Sequence, residues 1–181
     1  KNYQKNNYAA ISEIILSNKT ETTEWVNTYG NTYHEIFKKI VANNKLDDFL
    51  MKLFMDKEHS NKVILLDDLV FVSTRVLITK NESLASEQML FIVSSSYLWS
   101  IQEKEGDYFD WIRERLEGSK GIVRRKKTDY LLFLLLESIV DNYQETYLKN
   151  AELSADKLNS TQIKPTPEFT AAVEKRKQEL F

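Results

Sequence analysis

KVILLDDLVFVSTRVLITKNESLASEQMLFIVSSSYLWSI, residues 62–101, is the stretch that decides the fold. Val, Ile, Leu and Phe come here in short runs separated by polar clusters, the pattern of consecutive strands. The runs fall at 62–66, 69–79, 86–94 and 97–101, with Lys80-Asn81-Glu82-Ser83 and Ser94-Ser95-Ser96 as turns. Strands joined so closely pair as neighbours, so the spacing predicts an antiparallel meander.

Upstream of the meander the period changes to that of helices. Tyr33, Ile36, Phe37, Ile40 and Val41 fall three or four apart on one stripe, and Phe49, Leu50, Leu53 and Phe54 repeat the pattern after Asp47. Before them, Glu24-Trp25-Val26-Asn27 reads as a short strand broken by Thr28-Tyr29-Gly30-Asn31, where Gly30 can take the positive φ of a turn. Residues 8–16 cluster apolar side chains with neither period clean, and helix and strand both stay open there.

Downstream, Asp107 is placed to cap a helix with Asp110 in its first turn and Phe109, Ile112 and Leu116 as its buried stripe. Gly118 and Gly121 close it, and a long helix is predicted from near Ile122 to about Leu158, with Leu131, Leu132, Leu135, Ile139, Tyr143, Tyr147 and Leu148 among its apolar positions. After a connector at 159–165, Thr166 can cap a last helix with Pro167 in its first position, where a missing N–H costs nothing. That helix is still running at Phe181, so the natural protein is expected to continue. Helix, then strands, then long helices indicate an α+β or layered α/β domain, with mainly antiparallel strands, over 1–158, followed by the connector and helix start of 159–181.

Composition narrows the function classes. Lys plus Arg number 25 against 27 Asp plus Glu, a net charge of -2, which offers no overall field for nucleic acid or anionic lipid. Cysteine is absent, which removes disulfides, thiolate metal sites and cysteine nucleophiles. Imidazole comes only from His34 and His59, whereas plentiful carboxylates suit hard, oxygen-loving ions such as Mg2+. The longest relevant apolar run, Tyr130 to Leu136, is far shorter than the roughly 20 residues of a membrane-crossing helix. The polar start Lys1-Asn2-Tyr3-Gln4-Lys5-Asn6-Asn7 leads into no secretory apolar region, so a soluble chain at the cytoplasmic face is expected.

One longer pattern is more specific. Ser86 to Val93, then Gln102-Glu103-Lys104-Glu105-Gly106-Asp107-Tyr108-Phe109-Asp110-Trp111-Ile112-Arg113-Glu114-Arg115, then Gly121-Ile122-Val123-Arg124-Arg125-Lys126-Lys127-Thr128-Asp129-Tyr130-Leu131-Leu132 and Glu137-Ser138-Ile139-Val140-Asp141-Asn142-Tyr143 occur in order. Together they closely resemble the corresponding run of the CorA magnesium and cobalt transporters. Weaker echoes at Trp25 and at Asp67-Asp68-Leu69-Val70-Phe71-Val72 extend the resemblance from about Trp25 to Phe181. It implies a three-layer α/β/α cytosolic domain that assembles as a homopentameric funnel at the inner membrane, its last helix leading as a stalk to membrane helices absent here. The family's Gly-Met-Asn pore signature is likewise absent from the chain. The resemblance further implies that Mg2+, with Co2+ as a second candidate, is sensed between neighbouring domains, and Glu137 matches a family position that carries an acid at this interface. The upstream acidic position is occupied by Met51-Lys52-Leu53-Phe54.

The residues themselves nominate two metal-ligating sets. Glu137 and Asp141 are four apart and share one helix face. Asp56, Glu58 and His59 stand together ahead of the first meander strand. Asp47-Asp48 and Asp67-Asp68 read as helix-start and turn residues. Lys120, Arg124, Arg125, Lys126 and Lys127 form a basic cluster, but no aromatic ladder for stacking bases accompanies it, so salt bridging within or between subunits is expected rather than nucleic acid. With Gly at 4 and no H-E-x-x-H or supported Ser-His-Asp set, catalysis is not expected. The alternatives are a zinc-transporting relative and a soluble interaction module of the same fold without ion regulation.

Overall fold

A computed structural model describes residues 3–7, 14–16, 21–30, 34–56, 61–80, 83–106, 108–160 and 166–180. Its centre is the predicted meander. Strands β2 (Lys62–Leu65), β3 (Val70–Lys80), β4 (Ser83–Val93) and β5 (Tyr97–Gln102) pair antiparallel in sequence order. Strand β1 (Glu24–Tyr29) joins β5 in parallel, completing a five-stranded mixed sheet of order β1-β5-β4-β3-β2. β1 runs two residues further than the sequence pattern predicts. Thr28 and Tyr29 stay in register with Ile101 and Gln102, and Gly30 ends the strand at φ 91°. Thr28 also accepts a hydrogen bond from the buried indole of Trp99 at 3.0 Å, which holds that part of the strand in place.

The central strand explains why alternation is invisible in its sequence. Met89, Leu90, Phe91, Ile92 and Val93 are all buried, since both faces of the sheet are covered. Leu90 and Ile92, with Phe71, Tyr97, Trp99 and Ile101, face α1 (His34–Asn43) and α2 (Phe49–Met55). There the rings of Phe37, Phe54 and Trp99 meet pairwise at 5.1 to 5.8 Å between centroids. Met89, Phe91 and Val93, with Val72, Val76 and Leu98, face α3 (Asp110–Glu117) and α4 (Thr128–Ser160). Two helical layers around one sheet give the α/β/α sandwich.

Residues 14–16 resolve part of the open stretch near the N-terminus. Ile14 and Leu16 are buried against α1 and α2 while Ile15 is 75% exposed, the alternation of extended chain. The Asn44 side chain holds this segment as a neighbouring strand would, its Oδ1 accepting from Leu16 N at 2.7 Å and its Nδ2 donating to Ile14 O at 3.3 Å. Residues 8–13 lie outside the described residues.

β4 begins at Ser83 rather than Ser86, and three helix boundaries differ from the sequence reading. α3 starts at Asp110 behind the buried Phe109, and the proposed cap Asp107 lies outside the described residues. At its end the left-handed residue is Ser119 (φ 52°), while Gly118 remains right-handed at φ -80°; a Cβ at Gly118 would lie 3.1 Å from the Glu114 carbonyl. The long helix begins at Thr128 rather than near Ile122. Gly121 at φ 70°, a 3-10 turn over Val123–Arg125 and an extended Lys126 come first. A helix starting earlier would carry the whole basic run on its positive end, an arrangement the macrodipole disfavours. Thr128 then anchors the true start by donating from Oγ1 to the Ser94 carbonyl at 2.6 Å. The last helix, α5 (Pro167–Leu180), begins as the sequence predicts, with the Glu168 carboxyl held below its ordinary range by its own backbone N–H and by the Thr166 side chain.

Candidate functional site

The long helix α4 carries the principal candidates, and its rotation about its own axis decides where they point. Leu131, Leu134, Leu135 and Ile139 fill the second core. Polar residues on the same side complete the attachment. β2 spans only four residues against eleven in β3, so among the described residues the far half of that edge of β3 has no strand partner. Asn142 Oδ1 accepts from Leu77 N at 3.0 Å and Tyr143 OH donates to Arg75 O at 2.8 Å, so α4 satisfies groups that a longer β2 would have paired. Asn150 extends the contact, donating to Thr79 Oγ1 at 3.2 Å.

With that face fixed inward, Glu137 and Asp141 project outward one turn apart, both exposed. No hydrogen bond or ion pair joins either carboxylate to another described residue. Their spacing of four puts the pair on one face of α4. Magnesium keeps several waters and takes only one or two protein carboxylates, a coordination two outward acids can begin. Among the described residues no group of three His, Asp or Glu converges, so any closed protein cage would need ligands from elsewhere.

The second set is not brought to the first. Asp56 caps the end of α2, on the opposite face of the sheet from α4. Its carboxylate lies 3.8 Å from Lys62 Nζ and its carbonyl accepts from Gln88 Nε2 at 3.3 Å. Glu58 and His59 lie outside the described residues. Asp47 acts as a helix-start residue, its Oδ1 accepting from Phe49 N at 2.8 Å. The turn holding Asp67 and Asp68 is closed by Leu66 N donating to Leu69 O at 2.8 Å.

Two features escaped the sequence reading. Glu87, on the central strand, is buried and bound by Lys104 Nζ at 2.7 Å; that bond, the largest contribution, holds the Lys104 ammonium above its ordinary pKa. Tyr108 beside them is pushed up by burial and then by the Glu87 charge. The second is a stripe on the outer face of α4. Phe133, Val140 and Tyr147, spaced by seven, are all more than half exposed and flank the two acids. Their heptad spacing was the available signal.

The basic cluster divides. Arg124 is used within the domain, its Nε donating to Leu116 O and its Nη2 to Glu117 O at 2.8 Å while its guanidinium lies over the Tyr3 ring. Lys120, Arg125, Lys126 and Lys127 are exposed, and no described carboxylate forms a salt bridge with them. Trp99 is a core residue, as expected. Trp25 and Trp111 are only half-buried, each under an arginine, Arg113 and Arg115 respectively.

A mixed sheet between two helical layers, followed by a long helix, is the fold this chain shares with the soluble domain of CorA. No protein-family model matches the chain. The cobalt/magnesium transport protein CorA of Thermotoga maritima is 27% identical over 135 residues, which cover 74% of this chain and 38% of that protein. The full-length CmaX protein superposes with a TM-score of 0.65 at 14% identity, over 86% of this chain and 49% of that one. The soluble domain of CorA from Methanocaldococcus jannaschii gives 0.59 at 14% identity, over 75% and 54%. At those identities the superpositions speak for the fold, and the alignment with the Thermotoga protein carries the relationship in sequence. The chain is CorA-like, in fold and in its alignment with the Thermotoga protein. It spans well under two thirds of the length of these relatives. Among the described residues no helix is long and apolar enough to cross a membrane.

Proposed function

We propose that this chain is the regulatory domain of a CorA-family divalent-cation transporter, without catalytic activity, and that it responds to Mg2+, or to Co2+, through Glu137 and Asp141 where neighbouring subunits meet. Transport itself would then belong to parts of the protein outside this chain. The observation that carries the reading is the pair of carboxylates held outward on α4, with no described cation against them. Two acids one turn apart repel each other, and an ion that neutralises them favours whichever arrangement binds it better. The pair supplies only part of an octahedral shell, which suits an ion completed by water and by a neighbouring subunit. Homo-oligomeric assembly, a pentamer at the inner membrane, belongs to the same proposal.

Thermal unfolding with and without millimolar Mg2+, Co2+ or Zn2+ tests it. An ion present at about ten times its dissociation constant stabilises the folded chain by roughly 1.4 kcal/mol, or about 3 to 5 °C for a domain of this size. A rise with Mg2+ that disappears in Glu137→Ala supports the proposal. No rise with any ion overturns ion sensing by this face and leaves a CorA-like domain that acts only through assembly.

A further inference from the structure

The hydrogen-bonding register leaves the outer edge of β2 open. Leu66 N donates to Leu69 O and Leu69 N to Leu66 O, at 2.8 and 3.4 Å, which makes 66 and 69 a doubly bonded antiparallel pair. Bonded and non-bonded pairs alternate along such a ladder. Continued in register, Ile64 bonds Phe71 and Lys62 bonds Ser73, while Val63 opposite Val72 and Leu65 opposite Val70 turn their N–H and C=O groups away from β3. The same alternation turns Arg75 and Leu77 of β3 towards this side, and there α4 covers them, with Asn142 on Leu77 N and Tyr143 on Arg75 O. No described group does this for Val63 or Leu65. Their side chains are open too, 63% and 76% exposed, on the α4 side of the sheet to which Val72 belongs. Nor is the edge guarded. β2 has no proline, and its one charge, Lys62, lies 3.8 Å from Asp56 at the end of α2.

We infer that β2 takes up an extended peptide segment of another protein, added antiparallel along its free edge. The N–H and C=O of Val63 and of Leu65 then close two further bonded pairs. The segment carries apolar side chains opposite Val63 and Leu65 and polar ones between, because Ile64 points to the other face and packs against the first core. Its N-terminal end comes beside the exposed Asp67 and Asp68, where a Lys or Arg matches them in charge. A second copy of this chain is the poorer occupant. Four residues make an edge about 13 Å long, and two folded domains that touch only there bury far less than the roughly 1,200 Å2 of a stable interface. A flexible segment makes the same bonds and also folds its side chains over Val63, Leu65 and the neighbouring Val70. None of the residues of the proposed ion response takes part.

The probe is the hexapeptide Lys-Thr-Val-Thr-Val-Thr with a fluorophore at its C-terminal end, its binding read by fluorescence anisotropy. Saturable binding is expected, with slowed hydrogen exchange at the Val63 and Leu65 amides and no change at Ile64, whose amide is already bonded within the sheet. Leu65→Pro removes an outward donor without touching a bond between β2 and β3. It should keep the native melting curve and weaken the peptide by at least about tenfold. Leu65→Lys leaves the main chain intact and places a charge on the edge, so it should weaken binding as well even if the proline disturbs the strand. Methylating both valine nitrogens of the peptide should do the same with the native chain. No saturable binding at millimolar peptide, undiminished binding by both Leu65 variants or by the methylated peptide, or protection that falls outside β2 would each overturn the inference. So would a dimer in sedimentation that Leu65→Lys dissolves while the peptide fails to bind, since the edge would then belong to a second copy.

Discussion

The indole N–H of Trp111 donates to Ser138 Oγ at 3.0 Å, and Ser138 Oγ in turn donates to the carbonyl of Tyr108. This relay ties α3 to α4 one residue away from Glu137. Together with Asn142 and Tyr143 on β3, it sets the rotation of the long helix, and so determines that Glu137 and Asp141 face outward while Leu135 and Ile139 face the core.

Ser138→Ala removes the hydroxyl that both groups share. The Trp111 N–H and the Tyr108 carbonyl lose their bonds, which predicts a loss of about 1 to 3 kcal/mol in urea unfolding at unchanged m-value. Ser138→Thr keeps the hydroxyl and should recover part of the loss. Equal stability of Ser138→Ala and the native chain would show that the relay does not hold the helix.

Asn44 predicts a second, more local effect. Its side chain bonds both the N–H of Leu16 and the carbonyl of Ile14, and also donates to Ile40 O at 2.9 Å. Asn44→Leu cannot make these bonds, so residues 14–16 should detach from α1. Hydrogen exchange at the Leu16 amide should rise about tenfold or more while exchange in the central strand stays slow. Unchanged protection at Leu16 would mean that burial of Ile14 and Leu16 alone holds the segment.

Where burial pattern and turn chemistry agreed, the sequence was enough. The meander was legible because β3 and β4 are apolar runs closed by a polar turn, and α5 because Thr166 and Pro167 form a start signal that needs no tertiary context. The parallel pairing of β1 with β5 was not legible, since strand propensity says nothing about which distant strand is the partner. Nor was the start of α4, where Gly121, the basic run and the anchor on Ser94 together override good helix formers. Of the candidate site, the shared face of Glu137 and Asp141 followed from spacing alone. The separation of Asp56 from them did not, because it depends on which side of the sheet α2 packs.

Tyr97 predicts an alkaline limit to stability. The residue is 2% exposed at the start of β5, and burial pushes its phenol up to about 12, against the opposing pull of a Ser94 hydrogen bond. The folded form therefore holds the proton more tightly than the unfolded chain, whose phenol has the ordinary value of 10.0. This contribution is fully present below pH 10 and is lost as the pH rises towards 12, a change on the order of 2 to 3 kcal/mol. Tyr97→Phe should flatten the stability profile across that window, leaving the slope due to other groups. A variant with the same slope as the native chain would assign the alkaline transition elsewhere.

The two candidate metal sets make opposed predictions, which separates them. Asp56 faces Lys62 on one side of the sheet, while Glu137 and Asp141 stand open on the other. An ion at Asp56 would have to displace an ammonium that already lowers the negative potential there, whereas an ion at Glu137 relieves repulsion from Asp141. Asp56→Asn should therefore leave the Mg2+-induced rise in melting temperature within error of the native value, and Glu137→Ala should abolish it. Without ion, both substitutions are at exposed positions and should change stability by no more than about 0.5 kcal/mol, so loss of the ion response cannot be mistaken for loss of the fold. If Asp56→Asn instead removes the rise while Glu137→Ala retains it, the ion sits at the end of α2, and the acidic face of α4 is left to subunit contact alone.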